Sequence, residues 1–164
     1  MIPTEVTVAD PIISAARRFV AGGFSTLRSV VEAVPAEALN WRPGGEETNT
    51  ISVLVTHAAY STRMLLAMAL GLPMPPRDRP AEFAAHAEDG ESLLRLVDGL
   101  STECLTALDE AGPIDWGALR QRKRDDGEVV EIPAAEALFH AVEHLRGHAD
   151  EASLTRHFWL TRSK

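Results

Sequence analysis

Histidines are concentrated in one stretch of this sequence, EALFHAVEHLRGHADEASLTRH at 136–157. His140, His144 and His148 recur there every four residues, and on an α-helix such residues stack on one face about 6 Å apart. His144 and His148 form an HxxxH pair, a spacing that lets two imidazole nitrogens approach one metal ion at about 2.0–2.1 Å. Because two ligands on one helix do not complete a site, we expect a third from elsewhere, and His57 in the apolar segment ISVLVTHAAYSTRMLLAMAL is the candidate.

A purely structural role is the alternative for these histidines. A single histidine on an apolar helix is usually a neutral core residue with a hydrogen-bond partner, and this interpretation is favoured for His57 taken alone. The histidine row changes the balance, because burying several imidazoles side by side costs desolvation and repulsion unless something binds their nitrogens. For the whole set we therefore favour metal binding.

The length and charge of the chain exclude several classes of function. Its 164 residues suffice for one compact domain, which we expect to span 1–164. A net charge of −8, from 24 acidic and 16 basic residues, argues against partners such as nucleic acid or an anionic membrane. We expect no apolar run of the roughly 18–20 residues that span a membrane. The N-terminal MIPTEVTVADP lacks the basic and apolar regions of a signal peptide, so we expect a soluble protein that is not exported.

The single cysteine, Cys104, limits the redox chemistry of the chain. It excludes an intrachain disulfide and any metal site built from several thiolates, and a reducing, cytoplasmic location fits this count. Cys104 lies within a stripe of leucine and valine residues on a predicted helix. We therefore interpret it as a small core residue rather than as a nucleophile.

The first of four predicted long helices precedes the histidine-bearing segments. It begins at Asp10 and Pro11, an N-cap followed by a proline at the first helical position, and it ends before Pro35. Gly22 and Gly23 interrupt its apolar stripe. Each glycine costs about 1 kcal/mol in helix propensity. Either the helix bends there or a neighbouring element packs unusually close.

Three further long helices are predicted from the spacing of apolar residues. The second covers about 51–70 behind an N-cap at Asn49 or Thr50. His57 lies on its apolar face, near its N-terminal end, and points toward the interior. The third covers about 90–110, and the last carries the histidine row.

Two irregular segments separate these helices. GLPMPPRDRP, at 71–80, is rich in proline and is predicted to stop the second helix and run across the surface. Between 113 and 133, short apolar runs flank Asp126 and Gly127, which is a signal for a β-hairpin. Pro133 then starts the last helix.

Two segments of the chain resemble the DinB-like superfamily, also called DinB/YfiT-like metalloenzymes and distinct from the polymerase that shares the name. PAEALNWRPGGEETNTISVLVTHAA is similar to the family's loop and helix that end in a ligand histidine, and ALFHAVEHLRGHADEA to the HxxxH segment of its last helix. The resemblance implies an all-α fold, a four-helix bundle in up-down-down-up order, to which this chain adds a short hairpin-like insertion before the last helix. It also implies a homodimer and a divalent metal held by His57, His144 and His148.

One position departs from the family pattern. Many relatives read HRGQ where this chain reads HADE, so that Glu151 replaces a glutamine. Its carboxylate would add negative charge near the ion or act as a base. His140 would lie one turn from the ligands, where it supports the site, faces the substrate or has only a structural role.

The resemblance also implies an activity. Relatives with an assigned activity are S-transferases that use bacillithiol, mycothiol or glutathione, and the mycothiol-dependent maleylpyruvate isomerase. A small electrophile would be the substrate and a low-molecular-weight thiol the cosubstrate, because an ion with three protein ligands keeps a position open at which a thiol loses its proton. Zinc and nickel are the leading candidates, although imidazole also suits iron and copper. No side chain is assigned a catalytic role.

Two alternatives without catalysis stay open. The chain could be a metal-binding or stress-associated bundle without turnover, and four protein ligands on the ion would favour that interpretation. It could instead be a dimerisation module whose histidines are vestigial. Absence of metal after purification without chelators would favour the second alternative.

Overall fold

The computed structural model describes residues 10–32, 34–124 and 126–162. Over these residues the chain is mostly helical, as expected for the all-α class, with six helices and one antiparallel pair of strands. The elements are α1 (Pro11–Glu32), α2 (Ala36–Leu39), α3 (Ile51–Leu70), α4 (Arg79–Phe83), α5 (Gly90–Asp109), β1 (Leu119–Lys123), β2 (Val129–Pro133) and α6 (Ala134–Thr161). Residues 1–9, on which most of the signal-peptide expectation rests, lie outside the described ranges.

The four long helices α1, α3, α5 and α6 enclose the core. α1 packs against α5 and α6, and α3 packs against the same two helices, whereas α1 and α3 make few contacts with each other. Side chains from all four helices meet in the interior, and the fully buried ones include Leu27, Leu54, Leu108 and Leu145. The up-down-down-up order of the helix directions stays a prediction.

α3 has the bounds that the apolar spacing predicts, and both of its ends have a local cause. Of the two N-cap candidates, Thr50 serves, since its hydroxyl oxygen accepts a hydrogen bond from the backbone N–H of Val53 at 3.1 Å. At the other end Gly71 adopts φ 71°, the left-handed conformation that ends many helices and that glycine adopts without steric cost.

Helix α3 is more apolar along its length than we expected from the sequence. By length and composition this helix could cross a membrane, which corrects the prediction that no apolar run reaches that length. However, 78% of its apolar window is buried inside the protein. Only Tyr60, Arg63 and Met64 of α3 are partly exposed. Core packing therefore accounts for the hydrophobicity of α3.

The two glycines of α1 have different surroundings, although they are adjacent. A Cβ atom on Gly23 would lie 2.6 Å from Cγ and Cδ2 of Leu145, whereas a Cβ on Gly22 would meet nothing within 4 Å. Leu145 is itself fully buried, so its side chain has little room to move. The close approach of a neighbouring element, one of the two expected explanations for the glycine pair, is thus found at Gly23.

We expect Gly23→Ala to destabilise the protein by about 1–3 kcal/mol, because the added methyl group overpacks against Leu145. Gly22→Ala is the matched control. It adds the same methyl group on the exposed side of the helix and should stabilise by about 0.5–1 kcal/mol through helix propensity. Urea denaturation of the two variants checks both signs, and equal stability of the two would contradict the close packing.

The connection between α3 and α5 was predicted to run across the surface, but part of it packs against α3. It contains the short helix α4, which the apolar spacing did not predict because a five-residue helix leaves no periodic pattern. Asp78 caps α4 by accepting a hydrogen bond from the backbone N–H of Ala81 at 3.0 Å. As a result, Arg77 and Glu82 lie against α3.

A β-hairpin precedes α6 at the position where the sequence predicts one. β1 and β2 pair antiparallel, with Leu119 opposite Pro133, and Gly127 adopts φ 89° in the turn. Residue 125 of this turn lies outside the described residues. The side chain of Arg120 donates a hydrogen bond to the carbonyl oxygen of Met68 at 3.1 Å, which joins the hairpin to the C-terminal end of α3.

Candidate metal centre

Three of the predicted site residues come together between α3 and α6. The ring centroid of His57 lies 5.0 Å from that of His144 and 5.1 Å from that of His148, and the latter two are 4.5 Å apart. One nitrogen from each ring lies within 4.8 Å of the other two. An ion with bonds of about 2.1 Å to nitrogen holds its ligand atoms at most about 4.2 Å apart. The histidine cluster is therefore close to the size that a shared ion requires.

A buried carboxylate contacts the ring of His57 at its Nδ1 atom. Nδ1 of His57 lies 2.9 Å from Oε2 of Glu82, whose side chain is only 3% exposed. Because a carboxylate only accepts hydrogen bonds, Nδ1 carries the proton and Nε2 keeps its lone pair. Carboxylates bound in this way orient many metal-ligating histidines and raise their basicity.

Arg77 holds Glu82 in turn. Its Nε donates to Oε1 of Glu82 at 2.6 Å and its Nη2 to Oε2 at 2.7 Å, a bidentate pair that also fixes the plane of the carboxylate. Nη2 further donates to the hydroxyl of Ser61 on α3 at 2.6 Å. The guanidinium group thereby supplies the positive charge that a buried carboxylate requires. We refer to Arg77 and Glu82 together as the clamp.

The two histidines of α6 differ in their partners. Nδ1 of His148 lies 3.1 Å from Oε2 of Glu151, one turn further along the helix. Nδ1 of His144 is buried and has no hydrogen-bond partner among the described residues. A buried polar atom without a partner requires an explanation, and an ion shared with the neighbouring rings is one. Glu151 thus contacts a candidate ligand and is not itself a member of the histidine cluster.

The other predicted residues lie at the edge of this site. The ring centroid of His140 is 5.8 Å from that of His144, one turn away, and His140 does not belong to the cluster. His86, which lies outside the histidine cluster, is exposed. Phe83 at the end of α4 packs its ring against that of His57, with 4.5 Å between the centroids. The clamp and Phe83 therefore both contact the imidazole of His57.

The electrostatics of the site favour neutral imidazoles. Burial lowers the pKa of His144 from 6.5 to about 3, and the nearby His148 and His57 act in the same direction. Burial also lowers the pKa of His57, whereas the hydrogen bond that its ring donates to Glu82 raises that pKa. Neutral imidazole is the form that binds a metal ion. The site is therefore ready to bind an ion at neutral pH without first releasing protons from these two rings.

We expect the stability of the metal-free protein to fall as the pH is lowered below about 6.5. Because the pKa of His144 is about 3 in the folded chain and near 6.5 when unfolded, the unfolded chain binds the proton first between these values. The loss amounts to at most about 1.4 kcal/mol per pH unit for one proton. Urea denaturation at several pH values tests this, and His144→Gln should flatten the dependence. If the stability of that variant depends on pH as strongly as that of the unaltered protein, the low pKa of His144 is contradicted.

The donor set fits a divalent ion. Three imidazoles supply borderline-soft nitrogens, two of them with Nδ1 turned to a carboxylate, and they leave further coordination positions open. Cys104 cannot add a thiolate, since burial raises the pKa of its thiol to about 12 and it lies in the core. The prediction that Cys104 is a core residue is confirmed. An ion bound here would rely on histidine ligands.

Sequence reasoning did not find the clamp. Arg77 and Glu82 are separated from His57 by 20 and 25 residues, in a proline-rich segment without periodicity. The available signal was weak: a charged pair of opposite sign follows an apolar helix that carries a histidine in need of a hydrogen-bond partner. Such a pattern does not distinguish a buried clamp from a solvated turn.

The fold and the histidine cluster together define a helical protein with a candidate three-histidine metal centre. The family model of the DinB superfamily matches residues 23–152, which is more than half of the sequence. The chain therefore belongs to the DinB superfamily. No curated protein matches its sequence.

Solved structures with a similar fold include a conserved bacterial protein and a thiol-dependent isomerase. A conserved protein from Enterococcus faecalis superposes with a TM-score of 0.70 at 13% identity, covering 91% of this chain and 97% of that one. The mycothiol-dependent maleylpyruvate isomerase superposes with a TM-score of 0.61 at 20% identity, covering 84% of this chain. This chain spans only 59% of the length of that isomerase. At these identities the likeness shows the fold.

Proposed function

We propose that this chain is a divalent-metal enzyme, an S-transferase or isomerase that uses a low-molecular-weight thiol and acts on a small electrophile. His57, His144 and His148 would hold the ion, with zinc or nickel as the leading candidates. The observation that carries the proposal is the convergence of the three imidazoles between α3 and α6. Such an ion, when bound, lowers the pKa of a coordinating thiol and makes thiolate available at neutral pH.

The residues around the cluster have supporting roles in this proposal. The clamp would fix the ring of His57, and Glu151 would orient His148. The chain needs no nucleophile of its own, which agrees with the buried, high-pKa thiol of Cys104. The mycothiol dependence of the isomerase with a similar fold supports a thiol cosubstrate. His140, one turn from the cluster, would face the substrate or support the site.

A thiol panel tests the proposed function. The protein, purified without chelators and analysed for its metal content, is mixed with glutathione, mycothiol or bacillithiol and an electrophile such as chlorodinitrobenzene or monobromobimane. We expect faster loss of the electrophile with at least one thiol, loss of that activity with a chelator, and recovery with zinc or nickel. Stoichiometric metal without turnover would instead favour a metal-binding or stress-associated protein, and absence of metal would favour vestigial histidines.

We further propose a single domain over 1–164 that forms an up-down-down-up four-helix bundle and a homodimer in the cytoplasm. The packing of α1 and α3 against α5 and α6 supports the bundle, and the net charge of −8 argues against partners such as nucleic acid or a membrane. Light scattering after gel filtration measures the oligomeric state. A monomer at micromolar concentration would contradict the dimer.

A further inference from the structure

A second region of the molecule has the shape of a ligand-binding site. A cavity of about 970 Å³ lies between α3, α5 and the segment 76–88. Pockets that bury small organic molecules have volumes of about 300–1,000 Å³. Leu93 and Leu96 of α5 give the cavity an apolar side, and Tyr60 of α3 adds an aromatic ring.

The cavity adjoins the histidine cluster without containing it. Arg77 and Glu82 line the cavity, and Glu82 contacts His57 with the same carboxylate. The three histidines are not among the described residues that line it. A molecule bound in the cavity would therefore lie behind the clamp and would not touch the nitrogens that face the proposed ion.

Arg63 brings a weakly compensated positive charge to this cavity. Its Nη1 lies 3.4 Å from Oε2 of Glu103, a long contact to a side chain that is 58% exposed, and such pairs contribute little. Its Nη2 donates to the carbonyl oxygen of Pro76 at 2.8 Å, and its Cζ lies 5.1 Å from the centroid of the Tyr60 ring. Its Nε is buried and has no partner in the part of the chain that the structure describes. The guanidinium group is thus held in place without a buried counterion.

The other charged groups of the cavity are occupied or lie at its rim. Arg77 and Glu82 satisfy each other in the clamp, and Asp78 caps α4. His86 and Glu88 are exposed. A ligand that enters between the apolar side and α3 therefore meets the guanidinium of Arg63 as the charge whose counterion, Glu103, is 58% exposed and only loosely paired.

We propose that this cavity binds a small organic acid, with an apolar body against Leu93, Leu96 and Tyr60 and a carboxylate on Arg63. The apolar side gives affinity by burial, and the planar guanidinium pairs with a carboxylate through two parallel hydrogen bonds. This site is separate from the metal centre, and its binding does not depend on the proposed function.

Calorimetric titration of the full chain with 4-phenylbutyrate and with its neutral amide, 4-phenylbutyramide, tests the site. The two probes have nearly the same shape and differ in charge. We expect one acid per chain, bound at least about tenfold more tightly than the amide, because a hydrogen-bonded charge pair contributes about 1.5–3 kcal/mol, which corresponds to tenfold or more. Equal affinities for acid and amide, or no binding of either, would overturn the proposal.

Three variants locate the binding. Arg63→Gln should remove the preference for the acid, and Arg63→Lys should keep part of it, because the charge stays while the bidentate geometry is lost. Leu96→Trp should weaken acid and amide alike by filling the apolar side, and it keeps the test valid if Arg63→Gln fails to fold. Acid binding that is unchanged in all three variants would overturn the proposal.

The metal state separates this site from the metal centre. We expect the acid to bind metal-free and zinc-treated protein, and to bind His144→Ala as it binds the unaltered chain. Acid binding that requires zinc and disappears in His144→Ala would place the acid on the ion and overturn the cavity assignment. Failure of the thiol assay leaves this titration unaffected, so the two proposals fail independently.

Discussion

His144→Ala is expected to lose the metal. Tetrahedral structural zinc sites bind with about 10–16 kcal/mol, so one of a few ligands contributes roughly 3 kcal/mol, or about a hundredfold in affinity. Of the three candidate ligands, His144 is the cleanest to remove, since its Nδ1 has no hydrogen-bond partner among the described residues and the clamp on His57 stays intact. Elemental analysis after gel filtration, followed by competition with a chromophoric chelator, measures the loss. His57→Ala should behave in the same way.

Two matched controls separate ligand loss from general damage. His86→Ala removes an exposed histidine outside the histidine cluster and should leave the metal content unchanged. Cys104→Ser changes the one thiol of the chain, which burial keeps protonated, and should also leave the metal in place. Stoichiometric metal in either His144→Ala or His57→Ala would refute the ligand assignment, as would loss of metal in either control.

Glu82→Ala is expected to damage both stability and metal affinity. Removing one partner of a buried ion pair leaves the guanidinium of Arg77 uncompensated, which costs about 3–5 kcal/mol. Removing the carboxylate behind His57 should also weaken metal binding by about 10- to 100-fold, because the ring is no longer oriented. Urea denaturation of the metal-free protein measures the first effect, and chelator competition measures the second.

A double variant distinguishes the two effects of Glu82. Arg77→Met combined with Glu82→Gln removes the buried charges together, so that much of the stability should return while the metal affinity stays low. Glu151→Gln is the matched control on the exposed carboxylate beside His148. We expect it to weaken metal binding by about 1 kcal/mol or less, which corresponds to some fivefold in affinity. Equal effects of Glu82→Gln and Glu151→Gln on metal affinity would contradict the special role of the clamp.

The sequence was sufficient for features that depend on neighbours along the chain. Apolar residues at helical spacing located α3 at 51–70, and Thr50 proved to be its cap. His144 and His148 lie one turn apart on α6 because a four-residue spacing on a helix brings two rings together. The choice of His57 as their companion rested on its place in an apolar helix. The three rings do meet, and the binding of an ion by them stays a prediction.

Only the tertiary structure determined which residues hold the ring of His57. Arg77 and Glu82 come from a segment whose prolines and charges are typical of a solvated connection. Glu82 becomes buried and Arg77 partly buried because α4 folds back against α3. The same folding forms the cavity in which Arg63 lies. Helical periodicity reports which face of a helix is buried, and it cannot report which distant polar side chain will compensate a buried one. That pairing depends on the path of the whole chain, and here the path determined how His57 is held.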